Sequence, residues 1–154
     1  MVKLKNIIVS LLISVGIGQL SGFITKDYSK AFSERFNQSA LTPPDWLFPI
    51  VWTILFALMG VGAAIVFKSH DSSRGYALTV YGVQLVFNFF WSILFFIGNI
   101  FQASFVWIAI LILLVLAMTI MFYRISKPAG YMQLPYLLWL IFACYLNYMV
   151  CVLN

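Results

Sequence analysis

The sequence predicts an all-α integral membrane bundle of five transmembrane helices, and three observations carry that expectation. First, 64% of its 154 residues are hydrophobic and only 8% are charged, where soluble domains carry about 25% charged residues. Second, Gly75–Tyr123 contains no Lys, Arg, Asp or Glu, and it is long enough to cross a bilayer twice at ~20 residues per crossing. Third, the remaining charges fall between apolar runs, so the chain divides into spans of about 6–24, 46–67, 76–97, 101–122 and 134–153. That length gives one domain and leaves no room for a soluble module.

The first run, Asn6–Ile24, follows Lys3 and Lys5. A basic start also fits a cleaved signal peptide. The run is longer than a usual signal core, however, and Ser14, Gly18 and Gly22 form a small-residue stripe suited to close helix packing. A retained helix is the better reading. Lys26–Asp45 is the longest polar stretch and reads as a loop outside the membrane. It leads into Thr42-Pro43-Pro44-Asp45-Trp46. Proline disfavours helix before it and is accepted in a first turn, so the second helix begins here, with Trp46 at the interface where indoles concentrate. Gly60 and Ala64 give that helix a second small-residue contact.

The third span holds Tyr81, Gln84, Asn88 and Trp91 at spacings of three, four and three, which places them on one helical face. Val80, Val83, Leu85 and Val86 form the opposite, oily side. Gly98–Gln102 reads as an uncharged hairpin. The fourth span is almost purely aliphatic over Ile108–Leu116, the pattern of a helix facing lipid or a second protomer. The fifth has Pro135 in its first turn and repeats the polar-aromatic theme with Tyr136, Trp139, Ala143 and Asn147.

Five crossings put the termini on opposite sides. Lys3, Lys5, Lys68, Arg74, Arg124 and Lys127 share one side, and Lys26, Lys30 and Arg35 the other. The positive-inside rule places the N-terminus in the cytoplasm and the C-terminus outside. The net charge of +5 is therefore topology and headgroup contact rather than nucleic-acid binding. With no long targeting segment, a bacterial cytoplasmic membrane is the expected setting.

The residue types exclude several chemistries. No Asp, Glu, Lys, Arg or His sits at membrane depth, whereas proton- and ion-coupled transporters use such groups. General acid–base catalysis needs a titratable group near working pH, and Ser92 has no neighbouring base to activate it. Cys144 and Cys151 lie ~10 Å apart along one helix, too far to bond to each other. No phosphate loop or metal-ligand spacing occurs, and no cofactor is expected. Binding remains. The two polar-aromatic faces, with Trp52 and Phe56, can line a cavity in which the amides of Gln84, Asn88 and Asn147 supply hydrogen bonds and Trp52, Trp91 and Trp139 supply flat surfaces. The competing reading is that these amides only join helices, at ~0.6 kcal/mol each on average.

These residues also carry a resemblance. Pro43-Pro44-x-Trp46-x-x-Pro49-x-x-Trp52, Tyr81-x-x-Gln84-Leu85-x-x-Asn88-x-x-Trp91-Ser92 with Phe95-Phe96, and Leu134-Pro135-Tyr136-x-x-Trp139-x-x-Phe142 leading to Leu146-Asn147-Tyr148 resemble, in order and spacing, the TspO family of translocator proteins, or peripheral-type benzodiazepine receptors. The resemblance implies a five-helix bundle, commonly a homodimer, that binds porphyrins such as protoporphyrin IX and benzodiazepine-type drugs in a pocket closed by the first loop. It implies Trp52, Gln84, Asn88, Trp91, Trp139, Ala143 and Asn147 as ligand residues, which Phe56 and Tyr136 join from the faces read above, with Pro43, Pro44 and Trp46 as the loop over them. Some members degrade protoporphyrin under light, and Trp52 and Trp139 match the pair implicated there.

Three departures qualify the resemblance. The family's aromatic pair in the first loop is Phe32-Ser33 here, and its tryptophan before the Pro-Pro step is Leu41. Trp107 stands where many members carry an Asp. The family's cholesterol pattern needs a basic residue after Tyr148, and Met149–Asn154 contains none. Sterol binding is not predicted.

Overall fold

The computed structural model describes residues 4–154. The helices are α1 (Leu4–Arg35), α2 (Leu47–Lys68), α3 (Arg74–Ser92, continued by a π turn over Ile93–Ile97), α4 (Phe101–Ile125), the short α5 (Lys127–Tyr131) and α6 (Leu134–Leu153). Five segments are long and apolar enough to span a membrane, α5 and α6 acting as one. Lys3, which contributes to the charge asymmetry, lies outside the described residues. The architecture is all-α, as the sequence predicts, with α1 packed along α2 and α4 packed against α3 and α6.

The small-residue stripes are used inside the bundle. A Cβ on Gly60 would lie 2.9 Å from the Ser10 carbonyl oxygen and 3.1 Å from Leu11 Cα, so α1 and α2 meet backbone to backbone there. Ser14 is buried and hydrogen-bonds the Tyr81 hydroxyl. Gly18 faces the ring of Phe56, while Gly22 has nothing within 4 Å.

Helix α1 runs past the boundary expected near residue 24, and the polar stretch after it is helical as far as Arg35. Lys26, Asp27, Lys30, Glu34 and Arg35 thus ride on a helix rather than in a loop. Thr25–Arg35 contains no Pro or Gly to stop it, and Phe32, only 5% exposed, anchors it. The Phe32 ring packs at 4.9 Å from Phe95, 5.5 Å from Phe96 and 5.7 Å from Phe101. Burial of one apolar face is what sustains a helix in water. The segment is then clasped to the C-terminus: Asn37 N donates to Asn154 Oδ1 (3.0 Å), and Asn154 Nδ2 donates to Asn37 O (2.9 Å).

Helix α4 also departs from expectation. Ile108, Leu111, Val115, Met118 and Phe122 are fully buried, and only the opposite side, including Leu113 and Leu116, is exposed. The helix is a central strut with one outward face. Leu85 likewise turns inward, although Val83 and Val86 do face out.

The connections follow local chemistry. Arg74 donates to the carbonyls of Phe67 (2.9 Å) and Ser69 (3.1 Å), satisfying the end of α2. In the same loop the Ser73 hydroxyl and backbone N–H donate to Asp71 and hold its carboxyl below the usual range. Asn99 makes the α3–α4 turn at φ 52°, a left-handed conformation that Asn accepts more readily than most residues.

Candidate ligand cavity

A cavity of about 530 Å³ opens between α1, α2, α3 and α6 beneath the segment that precedes α2. Its volume lies within the ~300–1,000 Å³ usual for small-molecule sites. From the sequence-derived set it collects Trp52, Phe56, Asn88, Trp91, Trp139, Ala143 and Asn147 on one wall. Gln84 and Tyr136 lie behind that wall. Pro43, Pro44 and Trp46 do not line it, and Trp46 is 66% exposed. The loop reaches the cavity through Gln38, Thr42 and Asp45 instead, and the first turn of α2 through Phe48 and Pro49; the chain turns into α2 with Leu47 N bonded to Pro44 O (3.0 Å) and the tryptophan outside.

All three amides join helices, and Asn88 and Asn147 also line the cavity. The Tyr136 hydroxyl donates to Gln84 Oε1 (2.7 Å) and accepts from Asn88 Nδ2 (2.8 Å), and Gln84 Nε2 reaches Met59 Sδ at 3.0 Å. Asn147 Oδ1 accepts from Trp91 Nε1 (3.1 Å), and its Nδ2 donates to the Phe101 carbonyl (2.9 Å). Gln84 and Asn147 are therefore committed to joining α3, α4 and α6. Asn88 lines the cavity with its Nδ2 committed to Tyr136. Buried polar groups are kept where all their hydrogen bonds are made, and here the same bonds fix the tilt of Trp91.

Replacing Tyr136 by Phe removes both bonds at once and strips Gln84, which is fully buried, of its donor. We expect a loss of about 2 kcal/mol, more than a single interhelical bond provides, seen as a lower melting temperature in detergent. An unchanged melting temperature would mean that Gln84 and Asn88 re-pair without the phenol.

The aromatic wall is ordered. The Trp52 and Trp139 rings stand edge to face, 6.2 Å apart at 90°, and Phe48 packs on Trp139 at 5.8 Å. Trp91 stacks on Phe95 at 5.2 Å. The π turn lies directly below; Gly98 N bonds to Ile93 O, five residues back, at 2.9 Å, and Phe95 and Phe96 both line the cavity. Such turns are frequent at functional sites. Trp139 Nε1 is enclosed and has no hydrogen-bond partner among the described residues. Trp107 takes no part: it stacks on Phe87 at 4.4 Å and donates to that residue's carbonyl (2.8 Å), fastening α4 to α3. Leu41 points away, 66% exposed.

Sequence reasoning missed one whole wall. Gly18, Gly22, Lys26 and Lys30 recur every four residues along α1 and line the cavity with Ser29, Phe32 and Ser33. The small-residue stripe was the visible signal, but its continuation into charged residues was hidden by reading Lys26 onward as a loop. Among the described residues no group of three His, Cys, Asp or Glu side chains could hold a metal ion.

The profile of the TspO/MBR family matches residues 8–153. The Tryptophan-rich protein TspO of Chlorobaculum tepidum is 41% identical over 116 residues, covering 73% of this chain and 72% of its own. The Tryptophan-rich protein TspO of Archaeoglobus fulgidus is 32% identical over 152 residues and 99% of both chains. The Translocator protein of Bos taurus is 30% identical over 138 residues, 84% of this chain and 80% of its own.

Proposed function

This chain belongs to the TspO/MBR family, and from that premise we propose that it is a membrane receptor or carrier whose cavity takes a protoporphyrin IX-like tetrapyrrole or a benzodiazepine-type planar drug. The observation that carries the reading is the co-location of Trp52, Trp91, Trp139 and Asn88 around one 530 Å³ space. Flat indole faces suit a planar apolar ring, and the few polar groups orient it. The proposed setting is a bacterial cytoplasmic membrane with the N-terminus inside, and the proposed assembly a homodimer. The bilayer is its other partner, nucleic acid has no place in the reading, and the broken pattern after Tyr148 leaves cholesterol out of it.

The test is quenching of tryptophan fluorescence by protoporphyrin IX in the dark, with the protein in detergent. Saturation near ~1 µM, about −8 kcal/mol, weakened severalfold in Trp139→Phe, is the expected result. Linear quenching without saturation, identical in the variant, would show that the porphyrin only dissolves in the micelle.

The Trp52–Trp139 edge-to-face pair favours a second reading, light- and oxygen-dependent porphyrin breakdown. There the bound porphyrin is the photosensitiser, molecular oxygen the oxidant, and the two indoles steer the excited complex. Illumination then yields a new absorbing product that Trp139→Phe suppresses, where a receptor gives only bleaching.

A further inference from the structure

We propose that Lys26 and Lys30 form an anion anchor at the outer mouth of the cavity, so that the site selects planar amphiphiles bearing carboxylates on one edge over their neutral esters. The inference rests on the reading of this cavity as a tetrapyrrole site and adds the ligand's charge and orientation to it. Both lysines line the same cavity as Trp52, Asn88 and Trp139. They are four residues apart on α1, one helical turn or ~6 Å of rise, and so present two cations to the same edge of a bound molecule.

The lining is graded in exposure. Phe56, Trp91, Phe95 and Ala143 are buried, while Lys26 and Lys30 are exposed and Ser29 and Ser33 half-buried, which puts the lysines at the mouth. Asp45 is the one acid on the lining; it accepts a hydrogen bond from Ser33 Oγ at 3.4 Å. The mouth therefore keeps an excess of positive charge. A carboxylate drawn into the apolar interior would lose its hydration without a partner, whereas one held at the mouth keeps both water and a counter-charge. The ring goes in and the acid edge stays out.

The helix that carries the lysines is held in place by its buried residues. Phe32 is buried among Phe95, Phe96 and Phe101, Thr25 Oγ1 is bonded to the Ser21 carbonyl (2.8 Å), and the Asn37–Asn154 clasp ties down the chain just beyond. The Lys26 ammonium lies over the exposed Phe23 ring at 5.1 Å, a surface contact that it surrenders readily to an anion.

The test compares protoporphyrin IX with its dimethyl ester, binding in the dark in a micelle of uncharged headgroups, corrected for empty micelles. The wild type should bind the free acid at least tenfold more tightly than the ester. Lys26→Gln/Lys30→Gln should bring the acid down to the ester's affinity and leave the ester unchanged. Lys26→Arg/Lys30→Arg should keep the preference, as should Lys68→Gln, which removes a charge far from the cavity. Equal affinity for acid and ester in the wild type overturns the anchor, as does a Gln double variant that weakens both alike. Saturable binding of neither compound removes the tetrapyrrole reading of the cavity, and the anchor with it.

Discussion

Replacing Ala143 by Phe is expected to weaken tetrapyrrole binding by about 100-fold, or ~2.7 kcal/mol, while the helical content and melting temperature stay close to those of the wild type. Ala143 is 7% exposed and lines the cavity one turn from both Trp139 and Asn147 on α6. An added ring has empty space to enter, so it does not press on packed neighbours, which is the usual cost of enlarging a buried side chain. It takes the volume that a planar ligand needs against the Trp52–Trp139 pair. Porphyrin titration and thermal melting of the same sample separate the two effects. Unchanged affinity would place the ligand elsewhere, and a collapse of the melting temperature would show that the cavity closes in the unliganded protein.

Gly130→Ala should give the largest loss of stability from a single methyl group. A Cβ at Gly130 would lie 2.5 Å from both Cα and Cβ of Tyr123 and 2.8 Å from its backbone nitrogen. Much of that obstruction is main chain, which cannot rotate aside as a side chain can. Helix α5 would have to lift from α4, and with it go the buried Ala129 and Gln133, which sit against Gly62 on α2. Overpacking of this kind costs about 3 kcal/mol, a fall in melting temperature of ~6–12 °C for a chain of this size. Gly82→Ala is the control: nothing lies within 4 Å of its Cβ position, and in mid-helix alanine is favoured over glycine by ~1 kcal/mol. Equal melting temperatures for the two variants would refute the close approach of α5 and α4.

Much of this protein is legible in its sequence because the signals are those of exception. Charges are rare, so they mark the span boundaries; prolines mark the turn before α2 and the start of α6. Gln84, Asn88 and Asn147 stand out against an apolar background, and their spacing with Tyr81, Trp91, Tyr136 and Trp139 placed them on two inward faces. The same residues carry the family resemblance. What only the tertiary structure decided is where apolar and committed groups point. Helix α4 offers no contrast between Ile108 and Leu113, since lipid and protein interior are equally apolar to it, yet one is buried and the other exposed. Which helices an amide joins depends on partners distant in sequence: Tyr136 takes up Gln84, while Trp91 and Phe101 take up Asn147. The reach of α1 to Arg35, and with it the placing of Lys26 and Lys30 at the cavity, was set by Phe32 finding Phe95, Phe96 and Phe101. A helix that leaves the membrane persists only where it has something to bury, and that something came from α3 and α4.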